Sequence, residues 1–263
     1  MRIVICLFTL LSMSIYASSA EPIDFDRFNL VDLSHSFDGD TIYWPTSPSG
    51  FELERLSFGI VDGGYFYAAN SFSTPEHGGT HIDAPIHFSE QGWSLDEIPV
   101  DRFLGSAIVI DVSDKIRKDQ DYRLTVSDIE QFEKVYGRIK AGAMVLMRTD
   151  HSRYWPDAAK YLGSDKHGDA SDLHFPGYGG AAAKLLVEVR RVNAIGIDTA
   201  SIDYGPSKDF IVHQIVGKHN VLGFENLTHL DKVSPVGATL IALPMKIGGG
   251  SGGPLRVIAL VPR

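Results

Sequence analysis

Residues 107–112 of this chain read AIVIDV, a short apolar run of the kind that forms a buried β-strand. Similar runs occur at residues 143–147, 194–198, 239–243 and 256–261. Between the early runs lie two stretches with helical character, residues 127–136 and residues 180–190. The first has Ser127 as a capping residue and Glu130 three positions later, the pattern of a capping box. Strands that alternate with helices predict an α/β fold.

The chain shows no internal repeat and no long linker, so we expect a single domain. Residues 248–254, GGGSGGP, form its one low-complexity patch. This patch lacks the lysine and the spacing of a phosphate-binding loop. We therefore expect a loop of permissive backbone before the last strand, one that could border a pocket.

The first 20 residues have the pattern of a secretory signal peptide: Arg2, an apolar run, and small residues up to Ala20. The apolar run is shorter than the ~20 residues that span a bilayer, which favours cleavage over a membrane anchor. We therefore expect a mature domain of residues 21–263 that is secreted or periplasmic, with no membrane association after cleavage.

Composition limits the partners of this domain. Cys6 is the sole cysteine and lies in the signal segment, so the mature chain has no disulfide and must fold on its core alone. The formal net charge is −9, from 24 basic and 33 acidic residues. Nucleic acid is excluded as an expected partner, because binding it relies on a basic surface.

The segment HGGTHIDAPIHF, residues 77–88, gathers metal-binding residue types. Glycines between His77 and His81 argue against a helix, and in an extended segment His81 and Asp83 share one face. The Gly-Gly pair permits a turn that returns His77 to the same point. Two imidazoles and a carboxylate suit Zn²⁺, Mn²⁺ or Fe²⁺ and leave positions open for water. The alternative is a polar turn whose histidines bond to the backbone.

A second group of potential ligands lies far downstream, in HQIVGKHNVLGFENLTHL. His213 and Glu225 flank a glycine-punctuated turn there. On residue type alone His219 and His229 are equally eligible, and the sequence cannot bring any of them to the first cluster.

The mature chain resembles the cyclase family of metal-dependent hydrolases, which includes bacterial-type kynurenine formamidase and isatin hydrolase. The family motif H-x-G-T-H-x-D-x-P-x-H-F is matched at every fixed position, by His77, Gly79, Thr80, His81, Asp83, Pro85, His87 and Phe88. Asp32 and Trp44-Pro45 resemble the family's opening strand and substrate-side loop. The resemblance implies a single α/β domain with a mixed, barrel-like central sheet flanked by helices, the swivelling β/β/α type.

The resemblance also implies the ligand set. His77, His81 and Asp83 would bind a divalent metal, Mn²⁺ or Zn²⁺, and His87 would be the proton-transfer residue. In members with a second ion, the aspartate, a later histidine and a glutamate bind it, here Asp83, His213 and Glu225. A homo-oligomer, dimer or tetramer, is implied as well, with N-terminal segments that help to cover the neighbour's site.

One departure bears on the substrate. Formamidases of this type are usually shorter, and the additional tract at residues 155–180 looks more like isatin hydrolase. A secreted enzyme also fits poorly with intracellular tryptophan breakdown. We therefore expect hydrolysis of a C–N bond in a small aromatic or cyclic amide. Kynurenine formamidase and lactone or ester hydrolysis are the alternatives among enzymes, and a secreted metal-binding protein is the alternative that is not an enzyme.

The expected mechanism assigns roles to three further side chains. His87, with an ordinary pKa of ~6.5, can give or take a proton near neutral pH, although it could instead orient a metal ligand. Trp44 and Trp93 border the motif segments and are the residues we expect to line an aromatic-substrate pocket.

Overall fold

The apolar runs form the strands of one mixed β-sheet in the computed structural model, which describes residues 22–263. The predicted signal peptide lies outside the described residues. Strands of the main sheet are β1 (Phe28–Asp32), β4 (His81–Asp83), β5 (Leu104–Asp111), β7 (Met144–Arg148), β9 (Ala194–Ile197), β10 (Leu222–Glu225), β11 (Thr239–Pro244) and β12 (Gly252–Pro262). Two small two-stranded sheets pair β2 (Glu52–Ile60) with β3 (Phe66–Ser73), and β6 (Arg123–Leu124) with β8 (Gly177–Tyr178).

The main sheet closes on itself. Its order is β1-β12-β11-β5-β7-β9-β10-β4, and β4 also pairs with β12, so seven strands form a ring to which β1 is attached. Strands β5, β7, β9 and β10 run parallel, whereas β4, β11 and β12 make antiparallel pairs. The predicted mixed, barrel-like core is confirmed.

Helices flank this ring. They are α1 (Ser113–Ile116), α2 (Val126–Tyr136), α3 (Ala158–Leu162), α4 (Gly180–Lys184) and α5 (Ile211–Lys218), and α4 continues into a π-helix at Leu185–Arg190. Of these, α2, α4 and α5 pack on the outer face of the ring. Short 3₁₀ segments lie at Phe25–Arg27, Pro85–His87, Val100–Phe103, His151–Tyr154 and Leu230–Lys232. No helix within residues 22–263 is both long and apolar enough to span a bilayer.

The start of α2 differs from the expectation. Thr125, not Ser127, caps the helix: its hydroxyl accepts the Asp128 backbone N–H, and the Asp128 carboxylate accepts the Thr125 backbone N–H. This is a capping box shifted by two residues. The sequence allows a capping box either at Ser127 with Glu130 or at Thr125 with Asp128. The second one forms because Lys115 and Tyr122 also bind the Asp128 carboxylate.

Strand alternation divides the core into two layers. Ala107, Val109 and Met144 belong to a buried cluster inside the ring. Ile110 and Val145 belong to a second cluster, which packs against α2, α4 and α5. The strands are therefore buried on both faces, which explains their continuous apolar runs.

The glycine-rich patch is more ordered than expected. Residues 252–254 are not loop but the start of β12, and they pair with β4 so that Gly252 lies opposite Asp83. A Cβ at Gly252 would lie 2.5 Å from the Ile82 carbonyl oxygen, so only glycine permits this close approach. Glycine here brings two backbones together. Of the patch, residues 248–251 belong to the connection before the strand, and residues 252–254 belong to the strand itself.

Strands β2 and β3 form an amphipathic hairpin with a register shift between Arg55 and Ser57. Five large apolar side chains lie on one face of the hairpin, and each is more than half exposed: Leu53, Phe58, Ile60, Phe66 and Phe72. The opposite face carries small and polar residues such as Ser57 and Ser71.

Candidate metal centre

Strand β4 places the first potential ligands between two neighbouring strands. In its pairing with β10, His81 lies opposite Glu225 and Asp83 lies opposite Gly223. Residues directly opposite in an antiparallel pair project from the same face, so the imidazole of His81 and the carboxylate of Glu225 meet. Gly223 leaves room for Asp83, since a Cβ there would lie 3.0 Å from Asp83 Oδ2.

Helix α5 supplies His213 to the same point. The Asp203 carboxylate accepts the backbone N–H of Val212 and of His213 at the start of the helix. The same carboxylate bonds to His213 Nδ1 at 2.7 Å. His213 is thereby held by its backbone and by its ring, and the structure brings it to the β4 cluster as the resemblance implied.

Asp83 lies at the centre of the resulting cluster. Its Oδ1 is 2.8 Å from His77 Nδ1 and 3.3 Å from His81 Nε2, and its Oδ2 is 3.3 Å from His213 Nε2. Glu225 approaches His213 Nε2 at 3.1 Å and His81 Nε2 at 3.5 Å. Five side chains from β4, the turn before it, α5 and β10 thus converge.

The orientation of the imidazoles is what a cation requires. His81 donates from Nδ1 to the Gly79 carbonyl oxygen at 3.0 Å, and His213 donates from Nδ1 to Asp203. In the neutral rings, both Nε2 lone pairs therefore face carboxylate oxygens. A nitrogen lone pair and a carboxylate oxygen that face each other repel unless a proton or a cation lies between them.

Asp83 offers a further sign of a cation site. Within residues 22–263, Asp83 Oδ2 is a buried oxygen atom that makes no hydrogen bond. The ligand atoms of His81, Asp83 and Glu225 lie within 4.8 Å of one another, as do those of His77, Asp83 and His87. The donor set of imidazole nitrogens and carboxylate oxygens fits a divalent transition metal.

The pKa values of these side chains in the metal-free protein also indicate a cation site. Burial opposes the charged form of His81, but the hydrogen bond with Asp83 and the charges of Asp83 and Glu225 raise its pKa to about 9. Burial likewise opposes His213, yet Asp203, Asp83 and Glu225 raise its pKa well above the usual range. Burial and the nearby Asp83 charge raise the pKa of Glu225. The raised pKa values of the two imidazoles mean that carboxylates favour a positive charge at this point, where a metal would place one.

His87 lies beside the cluster, on the 3₁₀ segment that follows β4. Its ring stacks on His77, with centroids 3.8 Å apart and planes 18° apart. Burial lowers the pKa of His87 to about 4. The charge of Asp83 opposes this shift. The neighbouring His77, His213 and His81 add to it. His87 is therefore a neutral imidazole at neutral pH.

A cavity of about 280 Å³ opens above these ligands. Its polar base includes His77, Asp83 and His87, and its walls are largely aromatic. The remaining lining residues are Ile42, Tyr43, Trp44, Gly78, His81, Phe88, Ala200, Ser201, Phe210, His213, Glu225 and Asn226. Trp44, predicted from its position beside a motif segment, is one of these walls.

The tract at residues 155–180 supports the cavity wall from behind. Its Tyr161 and Phe175 belong to a buried cluster with Ile42, against which Trp44 packs. The rings of Trp44 and Phe175 meet edge to face at 6.4 Å. Tyr161 also donates a hydrogen bond to the side chain of Asn226 at 2.9 Å, so the tract fixes both an apolar and a polar part of the lining.

The prediction that Trp93 lines the substrate pocket is wrong, because the structure does not bring this residue to the cavity. Its ring packs against the barrel core and lies 5.6 Å from the Arg102 guanidinium. Its backbone N–H donates to Asn220. Adjacency in sequence to the 77–88 motif gave a false signal, since the chain turns away after the 3₁₀ segment.

The structure also distinguishes His213 from the other two downstream histidines, His219 and His229. His219 lies 3.5 Å from Glu188, and exposed His229 donates from Nδ1 to the Asp32 carbonyl oxygen. Neither belongs to the cluster around Asp83. Asp32, in the segment that resembles the family's opening strand, instead pairs with Arg256 at 2.7 Å.

Sequence reasoning missed two polar residues that contact potential ligands, Asp203 and Ser251. Asp203 binds His213, and Ser251 lies 2.9 Å from His77 Nε2. Asp203 gave no signal because it precedes its histidine by ten residues. Ser251 is the one side chain with a functional group in the patch GGGSGGP, and that isolation was the signal available.

Comparison with known proteins identifies one family to which the chain is similar. The Cyclase family model matches residues 31–204, which contain the β4 motif but end before His213. Isatin hydrolase of Roseibium aggregatum is 36% identical over 220 residues, which cover 81% of each chain. Kynurenine formamidase of Salinibacter ruber is 27% identical over 238 residues, 87% of this chain and 96% of the relative.

A solved structure extends the likeness to the whole fold. Isatin hydrolase A from Ralstonia solanacearum superposes with a TM-score of 0.84 at 35% identity, covering 93% of this chain and 100% of that one. The identity is high enough, over enough of both chains, to assign a family as well as a fold. This chain belongs to the cyclase family of metal-dependent hydrolases.

Proposed function

We propose that this chain hydrolyses the C–N bond of a small aromatic or cyclic amide, as an isatin hydrolase-like enzyme that uses divalent Mn²⁺ or Zn²⁺. The observation that carries the proposal is the convergence of three imidazoles and two carboxylates at the base of an aromatic-walled cavity. A buried cluster of this composition beneath an open pocket is the arrangement of a catalytic metal site, not of a closed structural site.

His77, His81 and Asp83 would hold the ion, and His213 and Glu225 complete the set around Asp83. When bound, a divalent ion supplies Lewis acidity: it activates water as a nucleophile and polarises the substrate carbonyl. The imidazole and carboxylate ligands serve manganese and zinc alike, so both metals are part of the proposal.

His87 moves the proton. With its pKa near 4 the ring is neutral at neutral pH, so one nitrogen is free to accept the proton that attacking water must lose. The same ring can then deliver that proton to the departing nitrogen. Its stacking on His77 holds the ring beside the proposed ligands.

The cavity selects the substrate. A volume of about 280 Å³ is at the small end for ligand pockets, so it suits one small molecule. Trp44, Phe88 and Phe210 offer ring faces or edges for packing against an aromatic ring. The tract at residues 155–180, which resembles that of isatin hydrolase, stabilises this wall and supports a cyclic aromatic amide over other substrates.

The test is turnover of isatin, N-formylkynurenine and a simple lactone by protein reconstituted with Mn²⁺ or Zn²⁺. We expect kcat/KM to be highest for isatin, with metal-free protein inactive. Faster turnover of N-formylkynurenine or of the lactone would replace this proposal with the corresponding activity. Stoichiometric metal binding without turnover of any of the three would favour a metal-binding protein.

We further propose that the chain acts as a homodimer or a larger even-numbered homo-oligomer. The amphipathic hairpin supports this assembly. A hairpin of two strands is only marginally stable by itself, and in a single copy of the chain its apolar face is exposed, so a second copy would stabilise it by covering that face. Contiguous exposed apolar surface of this kind marks an interaction site. Export to the periplasm or beyond is also proposed, on the pattern of residues 1–20 alone.

A further inference from the structure

The glycine-rich connection before β12 carries a serine that contacts a proposed metal ligand. We propose that Ser251, with Glu76, is a positioning residue that fixes the ring orientation of His77, an inference that rests on the proposed metal site. Ser251 Oγ lies 2.9 Å from His77 Nε2 and 2.6 Å from Glu76 Oε2. A carboxylate, a hydroxyl and an imidazole therefore form a short relay that ends at the cluster.

The direction of the hydrogen bonds in this relay follows from its members. A carboxylate only accepts, so the single hydroxyl proton of Ser251 is donated to Glu76. The lone pairs of the serine oxygen remain, and His77 must donate to one of them from Nε2–H. In the neutral ring the lone pair of His77 is then on Nδ1, the atom that lies 2.8 Å from Asp83 Oδ1.

His77 needs this support more than the other histidines of the cluster. Its side chain is 25% exposed, against 3% for His81 and 6% for His213. Burial and a direct bond to the backbone or to a carboxylate hold those two rings. His77 has neither a buried ring nor such a direct bond at Nε2, so rotation of its ring would turn the coordinating nitrogen away from Asp83.

Ser251 is itself held by hydrogen bonds of its backbone N–H and carbonyl groups. Its backbone N–H donates to Glu76 Oε2 at 2.9 Å, and its carbonyl oxygen accepts the Ala84 backbone N–H at 2.9 Å. Gly252, the next residue, lies so close to His77 that a Cβ there would be 2.6 Å from the ring. The hydroxyl therefore has little freedom, and a partner fixed in this way can transmit its orientation to the imidazole.

The experiment compares metal affinity in the variants Ser251→Ala, Glu76→Ala and the double variant, by titration of metal-free protein with Mn²⁺ and with Zn²⁺. We expect each single variant to bind metal ~10–100-fold more weakly, the usual effect of removing a group that orients a ligand. The double variant should be no weaker than Ser251→Ala, because both residues act through the same bond. Gly248→Ala is the matched control, since a Cβ there meets nothing within 4 Å.

Each outcome has one meaning for the relay. Affinity of Ser251→Ala within about twofold of Gly248→Ala would overturn the proposal, and so would fully additive losses in the double variant. Restoration of affinity by Ser251→Thr, which keeps the hydroxyl, would support it. If the parent protein binds metal and hydrolyses amides while Ser251→Ala binds metal equally well, the relay fails and the proposed function stands. If the parent protein binds no metal, both fail.

Discussion

The ring of His213 donates from Nδ1 to Asp203 Oδ2 at 2.7 Å, and this bond determines which nitrogen faces the ligand cluster. Asp203 also accepts the backbone N–H groups of Val212 and His213 at the start of α5. One carboxylate thus fixes the start of the helix and the orientation of the ring together. The contacts that form the start of α5 therefore also set the orientation of the His213 ring.

Removal of a proposed ligand should abolish both metal binding and hydrolysis. We expect His81→Ala and Asp83→Ala to lose bound metal on dialysis and to lower kcat/KM by at least ~10³-fold, because both side chains contact the centre of the cluster. Metal analysis and kinetics on the same samples measure this. His219→Ala removes an imidazole outside the cluster and should leave both quantities unchanged. Full activity with retained metal in the two ligand variants would contradict the assignment.

The role of His87 can be separated from metal binding. If it transfers the proton, His87→Ala should keep nearly normal metal content and lower kcat by ~10²–10⁴-fold, the usual span for a positioned acid–base group. The measurement is kcat at saturating metal and substrate. A variant that regains activity when metal is added in excess would show that His87 orients a ligand instead.

The two tryptophans beside the motif segments should behave differently. Trp44→Ala should raise KM for an aromatic substrate about tenfold or more, because its ring lines the cavity. Trp93→Ala is the matched control: it should leave KM unchanged and lower the free energy of unfolding, since its ring packs on the barrel core. Steady-state kinetics and denaturant titration of both variants decide the point. An equal rise in KM for both would place Trp93 at the site after all.

The apolar face of the hairpin should mediate self-association. Phe58→Glu places a charge on this face, where Phe58 is 64% exposed, and should convert the oligomer to monomer in light scattering. Ser57→Glu introduces the same charge one residue earlier, on the opposite face, and should not. A parent protein that is monomeric and fully active at assay concentration would contradict the proposed assembly.

Buried Asp198 predicts a pH dependence of stability. Burial raises its pKa from 3.8 to about 6, against hydrogen bonds from the backbone N–H and hydroxyl of Thr149. Between these two values the folded protein keeps a proton that the unfolded chain has lost. The free energy of unfolding should therefore fall as pH rises from about 4 to 6, by about 3 kcal/mol at most from this group.

Chemical denaturation of Asp198→Asn at several pH values tests this dependence. The variant should lack that part of the pH dependence, whereas Asp62→Asn, at an exposed position, should retain it. Parallel pH profiles for the parent protein and Asp198→Asn would show that the carboxyl group ionises normally in the fold.

The local sequence pattern was enough to predict some residues of this site but not the others. His81 and Asp83 could be predicted because a two-residue spacing in a strand places side chains on one face. His213 and Glu225 could not be joined to them by spacing, since the register of β10 on β4 and the bonds of Asp203 bring them together. That step required the resemblance to a family.

Glycine explains another failure of prediction. A strand is recognised by its side chains, and residues 252–253 have none, so the pairing of β12 with β4 left no trace in the sequence. Trp44 and Trp93 likewise could not be separated, because each borders a motif segment and only the path of the chain distinguishes them.

The pairing of β12 with β4 also has a consequence for how the protein becomes active. This last strand of the chain pairs with a strand about 170 residues earlier and closes the ring, and its preceding residue contacts His77. Contacts of such long sequence separation form late in folding, because the chain must first lose much entropy. A chain that has not yet paired β12 with β4 lacks the contact of Ser251 with His77, so we expect it to bind the ion more weakly than the closed barrel does. Metal that binds the folded state more tightly than the unfolded chain stabilises it by mass action, so the free energy of unfolding should rise with the concentration of the ion.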